Sequence, residues 1–349
     1  MIDTAKEVRQ GEELNWDKLE TFIRANLPEM IQGKMEVSQF HGGHANLTYL
    51  LTLPSTEIIL RRPPFGNIAP GAHDMKREYR VLSKLYKVFN EAPRAYLFCD
   101  DDSIIGAPFV LLERKRGVVV RTELLDCFKP FDRAEERLTT AMVAAMAKLH
   151  TVDVDAADLS KLGRPEGFLE RQLSGWSKRW QLIDSDGNKD MNIVLDILSK
   201  SIPKPQAVSI IHNDIKLDNC QFQADNPDQV TAIFDWDMTT LGDPLVDLGT
   251  TLSYWIEPYF DNFRLPVSLD KSFPDKAFLL KKYEEFTGFS LERIDWYHAF
   301  AYWKGAVVAA QLYHRYLNGE TKDERMKKFG QAAIAMADIA KQILTRGLS

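Results

Sequence analysis

Three polar side chains of this 349-residue chain have types and spacing that could do chemistry at one point. Asp214 and Asn219 are separated by four residues on a predicted loop that follows a short apolar strand. The next apolar run, Val230–Phe234, begins eleven residues after the asparagine and leads to Asp235. Two carboxylates and one amide can therefore meet at neighbouring strand ends. Phosphoryl transfer uses such a set, because one group orients the attacking hydroxyl while the others hold the metal ion that neutralises the phosphates.

Each part of this pattern also has an ordinary structural interpretation. A single His-X-Asp, here beginning at His212, is usually a solvated loop or a helix cap, and Asp235 alone could be a turn residue. The order and spacing of the whole set favour the functional interpretation. Asp237 stays open between an additional metal contact and a cap for the segment that follows it.

The elements that must position these residues divide the chain into two parts. Periodicity predicts a first part of short strands with two helices and a second part that is mainly helical. In the first part, strands are predicted over residues 35–40, 45–53, 57–61, 95–99 and 108–112, and helices over 16–30 and 73–85. In the second part, helices are predicted over 135–150, 166–182, 191–199, 278–286, 294–317 and 324–344, and short strands over 209–211, 220–223 and 230–234. The sequence thus predicts an α+β fold with an N-terminal lobe over residues 1–116 and a C-terminal lobe over 117–349.

Composition disfavours several classes of protein. The chain is 45% hydrophobic and 27% charged, which is typical of a globular protein with a sizeable core. Its formal net charge of -6 disfavours a nucleic-acid partner. No run approaches the roughly 18 apolar residues of a membrane span, and the polar N-terminus does not predict a signal peptide. Three scattered cysteines, Cys99, Cys127 and Cys220, predict free thiols, and we expect a soluble cytoplasmic protein without membrane contact.

The pattern His-X-Asp-X4-Asn, followed by an apolar run and Asp-Trp-Asp, resembles the aminoglycoside phosphotransferase and choline kinase relatives of protein kinases. The resemblance implies a protein-kinase-like bilobal fold with a small β-rich N-terminal lobe, and it implies ATP and Mg²⁺ as cofactors. It also implies that Asp214 accepts the proton of the substrate hydroxyl and that Asn219 and Asp235 bind Mg²⁺. His212 would brace this loop. A later Gly-Asp-Pro-X2-Asp-Leu run matches the family as well, and its second aspartate, Asp247, would hold the catalytic loop.

The N-terminal lobe carries weaker signals for nucleotide binding. Gly42, Gly43 and Asn46 lie on a predicted turn where backbone N–H groups could cradle phosphates, although most such glycine pairs are simply turns. Arg61 ends a strand and Glu78 lies on the next helix, an arrangement with which kinases hold the α- and β-phosphates. Arginine stands where protein kinases have lysine, so the geometry of a phosphate contact stays open. An ordinary surface ion pair between Arg61 and Glu78 is the alternative interpretation.

Residues 109–117 resemble the strand and hinge between the two lobes of that family. The resemblance places the adenine ring against apolar side chains there, with hydrogen bonds to backbone groups near Glu113 and Lys115. Because backbone groups make these bonds, the side chains do not distinguish ATP from GTP, and ATP is the general expectation.

Two further segments narrow the resemblance and bear on the phosphate acceptor. Residues 61–74 and the run from Ala301 to Gly319 are similar to the kinase-like domain that is fused to certain long-chain acyl-CoA dehydrogenases. That subgroup implies a hydroxy-acid or a hydroxyacyl-CoA thioester as the acceptor.

The predicted helix over residues 294–317 carries candidate acceptor-binding side chains. Lys304, Gln311 and Arg315 follow one another along a single face of this helix. Two cations and an amide on that face could receive a carboxylate or a CoA phosphate. Ordinary ion pairs with nearby acids would explain the two cations as well.

Two other functions stay open. The C-terminal region also carries carboxylates, among them Glu257, Asp261 and Glu284, so an aminoglycoside or macrolide phosphotransferase is one alternative. A nucleotide-binding pseudokinase without turnover is the other. A protein kinase is disfavoured, because neither Asp-Phe-Gly nor Ala-Pro-Glu follows at or after Asp235. We expect a small-molecule hydroxyl acceptor as the partner of this chain.

Overall fold

The computed structural model describes residues 5–30, 33–41, 46–66, 73–121, 123–183, 188–255, 272–321 and 323–346. The N-terminal part contains the strands β1 (Glu36–Phe40), β2 (Leu47–Thr52), β3 (Glu57–Arg62), β4 (Ala95–Cys99) and β5 (Phe109–Glu113). They form one antiparallel sheet in the order β1-β2-β3-β5-β4. Three helices accompany the sheet: α1 (Trp16–Asn26), α2 (Met75–Leu85) and the short α3 (Asp102–Ile105).

The central strand β3 explains why this sheet has a helix on each face. Ile58 and Leu60 belong to the apolar cluster that contains α1, whereas Ile59 belongs to the cluster that contains α2. Successive side chains of a strand point to opposite faces, so a strand that is apolar at consecutive positions needs a packing partner on both sides. Helix α2 starts at an N-cap, where the Asp74 carboxylate accepts the N–H of Arg77 over 2.9 Å.

The C-terminal part is mainly helical. Its helices are α4 (Ala134–His150), α5 (Phe168–Gln181), α6 (Lys189–Lys200), α7 (Leu245–Tyr254), α8 (Lys276–Thr287), α9 (Ile294–Leu317) and α10 (Phe329–Arg346). Its strands are β6 (Val118–Val119), β7 (Ser209–Ile211), β8 (Cys220–Gln223), β9 (Asn226–Ile233) and β10 (Thr240–Gly242). They form two small antiparallel sheets, β6-β8-β9 and β10-β7. None of the helices in the described ranges is long and apolar enough to cross a membrane.

The predicted α+β fold is confirmed, with a sheet in the N-terminal region and helices in the C-terminal region. Some element ends differ from the prediction for local reasons. The helix predicted over 16–30 ends at Asn26, because the residue before Pro28 disfavours helical backbone angles. The helix predicted over 324–344 begins instead as a 3-10 turn and becomes α-helical at Phe329.

Helix α7 was not predicted, because its pattern gives no amphipathic signal. All eight residues from Leu245 to Leu252 are buried, so no polar face marks the helical period. The helix lies so close to α9 that a Cβ atom on Gly249 would stand 2.6 Å from the backbone carbonyl of Tyr297. This glycine therefore sets the approach of α7, which carries two groups of the candidate site.

Candidate active site

The catalytic loop predicted from the sequence connects β7 to β8. Strand β7 is buried at every position and ends at Ile211, so the loop leaves directly from the core. A single 3-10 turn, Leu217–Asn219, returns the chain to β8. The backbone N–H of Phe234 donates to the carbonyl of Asn219 over 2.9 Å, which joins the end of the loop to the segment that carries Asp235.

The buried carboxylate of Asp247 ties α7 to the start of this loop. It accepts the backbone N–H of His212 over 2.6 Å and the backbone N–H of Asn213. His150 Nε2 lies 3.1 Å from the same oxygen that accepts the His212 N–H, and its second ring nitrogen contacts the Tyr283 hydroxyl at 2.8 Å. Two backbone donors are thus fixed by one side chain, which holds the loop in a single position.

His212 joins the loop to the next strand end. Its Nε2 lies 2.9 Å from the carbonyl oxygen of Phe234, where the ring N–H can donate. The imidazole also packs edge-on against Trp236, with ring centroids 4.7 Å apart. Both contacts flank Asp235, so the histidine holds the two carboxylate-bearing segments together.

Asp214 lies in the loop with three partners around its carboxylate. Its Oδ2 atom accepts the side-chain amide of Asn219 over 2.8 Å and lies 3.1 Å from the ammonium of Lys216. The hydroxyl of Tyr254, at the end of α7, hydrogen-bonds to the same carboxylate, and burial together with that negative charge raises the pKa of this tyrosine well above its ordinary value. Burial alone would lower the pKa of Lys216, but Asp214 and Asp218 raise it, so this ammonium stays charged.

Asp235 follows β9 with a positive φ of 71° and faces the cation of Arg61. The distance from Arg61 Nη2 to Asp235 Oδ1 is 2.7 Å, and Nη1 of the same guanidinium donates to Glu78. Burial would raise the pKa of Asp235, but the charge and the hydrogen bond of Arg61 outweigh burial and hold it below its ordinary value. Burial raises the pKa of Glu78 to about 7, against the opposing effect of Arg61. Asp237 has a raised pKa because it is buried beside Asp235.

A cavity of about 380 Å³ opens between the N-terminal sheet and the catalytic loop. Its apolar wall includes Phe40, Ile59, Leu82, Leu112 and Phe234. Seven of the predicted site residues lie at its polar wall: Asn46, Arg61, Glu78, Glu113, Lys115, Asn219 and Asp235. The Lys115 ammonium lies 3.2 Å from the Glu113 carboxylate. An apolar slot that ends in cations and carboxylates suits an aromatic base joined to phosphates.

A model of the phosphotransferase enzyme family (APH) matches residues 36–279, most of the chain. The chain belongs to this family. Two curated relatives are acyl-CoA dehydrogenase family member 10 of Mus musculus and member 11 of Homo sapiens. The first is 28% identical over an alignment of 350 positions, which covers 99% of this chain and 32% of the relative. The second is 27% identical over an alignment of 323 positions, which covers 91% of this chain and 41% of the relative. The chain therefore spans less than half the length of these relatives.

Solved structures of phosphotransferases share the fold. A protein of Ralstonia eutropha, described as an aminoglycoside phosphotransferase, is 29% identical with a TM-score of 0.80, and the match covers 97% of this chain and 100% of that chain. The GDP and kanamycin complex of an APH(2″) enzyme is 15% identical with a TM-score of 0.62, and covers 93% and 98%. The predicted resemblance to aminoglycoside phosphotransferases is confirmed by these matches.

The structure brings one of the three predicted acceptor residues of this phosphotransferase near the catalytic loop. Lys304 is partly buried. Burial lowers its pKa below the ordinary value, against the opposing effect of the charges of Asp214 and Asp247. Gln311 lies about two helical turns beyond it on α9. Arg315 lies one turn further still, and it is exposed and pairs with Glu320 at 3.5 Å.

Four of the sequence predictions fall on residues outside the described ranges. These are Gly42, Gly43, Glu257 and Asp261. No contact of theirs enters the description of the site.

The sequence analysis missed further residues in and around the candidate site. Lys216 could have been found, since a cation two positions after Asp214 lies on the same loop. Tyr254 could not, because its helix α7 was not predicted. Trp176 and Arg179 lie on α5, and nothing in the sequence links that helix to Lys304, whose ammonium stands 5.5 Å from the Trp176 ring centroid.

Proposed function

We propose that this phosphotransferase moves the γ-phosphate of ATP to a hydroxyl group of a small metabolite. One observation carries the proposal: Asn219 and Asp235 line the polar end of a cavity of nucleotide size, and the Asn219 amide holds the carboxylate of Asp214. A carboxylate within reach of an incoming hydroxyl and two oxygen-bearing side chains beside the phosphates are the parts that phosphoryl transfer needs.

In this proposal Asp214 orients the acceptor hydroxyl and takes its proton. The hydroxyl oxygen forms a bond to the γ-phosphorus while the bond from that phosphorus to the ADP oxygen breaks, and ADP leaves with the electron pair. Lys216 lines the nucleotide cavity beside Asp214, so its ammonium can offset the charge of the transferred group. Tyr254 and Asn219 hold the carboxylate of Asp214 in place.

The donor set fits Mg²⁺ as the cofactor. Mg²⁺ prefers oxygen ligands and is commonly held by one or two protein side chains together with substrate phosphates. Asp235 has a pKa below its ordinary value and is therefore an ionised ligand, and Asn219 lies beside it as an amide ligand. In the described ranges no group of three histidine, cysteine or carboxylate side chains could hold a metal without the nucleotide. When bound, the ion would neutralise the phosphates.

We further propose that residues 1–116 and 117–349 form the two lobes around the nucleotide. Asn46, Arg61 and Glu78 would position the phosphates, together with Gly42 and Gly43. The backbone near Glu113 and Lys115 would bind the adenine ring, and the apolar wall of the cavity would pack against it.

For the acceptor we propose a hydroxy-acid or a hydroxyacyl-CoA thioester. The similarity to kinase-like portions of acyl-CoA dehydrogenase family members supports this class. The match to a Ralstonia eutropha protein described as an aminoglycoside phosphotransferase supports an antibiotic as the second candidate.

A coupled assay of ADP release tests the proposal. The purified protein with ATP and Mg²⁺ is offered hydroxy-acids, hydroxyacyl-CoA thioesters, amino alcohols and aminoglycosides. We expect acceptor-dependent ADP release with the acids or thioesters, and phosphorylated product by mass spectrometry. ADP release with aminoglycosides alone would favour the antibiotic function, and nucleotide binding without any turnover would favour a pseudokinase.

A further inference from the structure

Two cations share one aromatic ring on the helical side of the catalytic loop. The guanidinium carbon of Arg179 lies 4.4 Å from the ring centroid of Trp176, and the ammonium of Lys304 lies 5.5 Å from the same centroid. Trp176 and Arg179 project from α5, whereas Lys304 projects from α9. The cluster therefore depends on the packing of these two helices and not on a local sequence motif.

Within the described part of the chain, neither cation of the cluster has a carboxylate partner. In the ranges that the structure describes, no aspartate or glutamate lies within 4.0 Å of the charged nitrogens of Arg179 or Lys304. The two like charges oppose each other, and Arg179 adds to the burial that lowers the pKa of Lys304. Each of two like charges beside one ring disfavours the other, and an anion near both would relieve this repulsion. The aromatic ring offsets only part of this cost.

The cluster lies outside the nucleotide cavity and within range of the charge of the catalytic carboxylate. Asp214 opposes the burial that lowers the pKa of Lys304. Lys216 lines the nucleotide cavity, whereas Trp176, Arg179 and Lys304 do not. An anion held by the cluster would therefore belong to the acceptor and not to the nucleotide.

The two carboxylates whose charges act on Lys304 are already engaged. Asp247 accepts two backbone N–H groups and contacts His150. Asp214 contacts Lys216, Asn219 and Tyr254. Neither can turn toward Lys304 without leaving other donors unpaired, so an external anion is the partner that these cations lack.

We propose that Trp176, Arg179 and Lys304 form a binding site for an anionic group of the acceptor, which orients its hydroxyl toward Asp214. The anion is a carboxylate of a free hydroxy-acid or a phosphate of a hydroxyacyl-CoA thioester. The inference rests on the proposed function, since it identifies the residues that would select anionic acceptors at the same site. It also opposes binding of a polycationic aminoglycoside, because two cations beside the hydroxyl position would repel it.

Matched acceptors test this site by turnover. The acceptors are 3-hydroxybutyrate, its neutral amide and 3-hydroxybutyryl-CoA, and the variants are Arg179→Gln, Lys304→Gln and the control Lys178→Gln, an exposed cation on the same helix. We expect each site variant to raise KM at least about tenfold for an anionic acceptor, the loss for one charge-assisted contact, with no change for the amide. The acceptor whose KM rises identifies the source of the anion. Equal rises in KM for charged and neutral acceptors, or no rise in KM, would overturn the proposal.

A binding measurement separates failure of this site from failure of the proposed reaction. Calorimetry follows 3-hydroxybutyrate or 3-hydroxybutyryl-CoA added to protein that is saturated with the non-hydrolysable nucleotide AMP-PNP and Mg²⁺. We expect weaker binding in Arg179→Gln, an exposed change that leaves packing intact, and in added salt. Such binding without any turnover would retain the anion site and reject the kinase reaction. Absence of binding of both anions to the wild-type protein would reject the anion site.

Discussion

The guanidinium of Arg61 stands 2.7 Å from a carboxylate oxygen of Asp235 and donates with its other terminal nitrogen to Glu78. One forked side chain thereby connects β3, α2 and the strand end that carries the proposed metal ligand. A lysine has a single ammonium and cannot reproduce this fork. Arginine at this position thus has a structural role in addition to any contact with phosphates.

Removing the Arg61 cation should destabilise the protein. Arg61→Met would leave the Glu78 carboxylate, which has no solvent exposure, without its cation. Breaking a buried pair in this way costs about 3–5 kcal/mol, and Arg61→Lys should cost less because it keeps one charge. Urea unfolding measures the free energies.

The matched control for Arg61 removes both members of the pair. Arg61→Met combined with Glu78→Leu should recover most of the lost stability, because no unpaired carboxylate remains at Glu78. A double variant that is as unstable as Arg61→Met would contradict the assignment of the loss to the buried carboxylate.

Replacing Asp214 by asparagine should remove turnover and spare nucleotide binding. The amide keeps the size of the side chain but cannot take the proton of the hydroxyl, and loss of a general base lowers kcat by about 10²–10⁴. Steady-state kinetics and calorimetry with AMP-PNP measure the two properties separately. Asp225→Asn, an exposed carboxylate, should change neither. Unimpaired kcat in the Asp214 variant would rule out the proposed proton acceptor.

The candidate catalytic residues could be predicted from sequence because the chemistry restricts both residue type and spacing. Asp214 and Asn219 lie on one short loop, so their proximity is nearly a local property. Helices and strands with a clear period, such as α9, could be predicted for a similar reason. The lobe boundary and the roles of these residues in catalysis stay predictions.

The remaining features depend on packing between distant parts of the chain. Helix α7 has no polar face, so the sequence does not reveal the helix that supplies Tyr254. Trp176 and Lys304 meet only because α5 and α9 pack together. Arg315 lies on the same helical face as Lys304, yet about 16 Å along the axis separates them at 1.5 Å per residue. A shared helix face therefore predicts direction but not proximity to a site.

Asp247→Asn should loosen the catalytic loop. Its carboxylate accepts the N–H groups of His212 and Asn213, and an amide would present one NH2 group to these donors. Leaving a buried donor unpaired costs about 1–3 kcal/mol, so the melting temperature and kcat should both fall. Thermal unfolding and kinetics measure them, with Asp196→Asn on the surface as the control. A variant with normal stability and a normal kcat would show that the loop does not need this anchor.

Gly249→Ala should disturb the contact between α7 and α9. The added methyl group would stand 2.6 Å from the Tyr297 carbonyl, and such overpacking costs about 1–3 kcal/mol. Gly175→Ala is the matched control, since a Cβ there meets no atom within 4 Å and the helix propensity of alanine should stabilise α5 by up to about 1 kcal/mol. Opposite shifts of the melting temperature are expected. Shifts of equal sign would contradict the close approach at Gly249.

Lys276 should make the stability of the protein rise with pH. Burial lowers the pKa of Lys276 to about 7, whereas a lysine in the unfolded chain titrates near its ordinary value of 10.5. Between these values the unfolded state binds more protons than the folded state, so the free energy of unfolding rises with pH by up to about 1.4 kcal/mol per unit. The neighbouring His298 lies 3.4 Å away and has a pKa well below its ordinary value, so it stays neutral in this range. Lys276→Met should remove this slope, and urea unfolding at pH 7 and pH 9 compares the two proteins. Equal pH dependence in both would mean that the lysine keeps its proton in the folded state, because only a proton lost on folding links this side chain to stability.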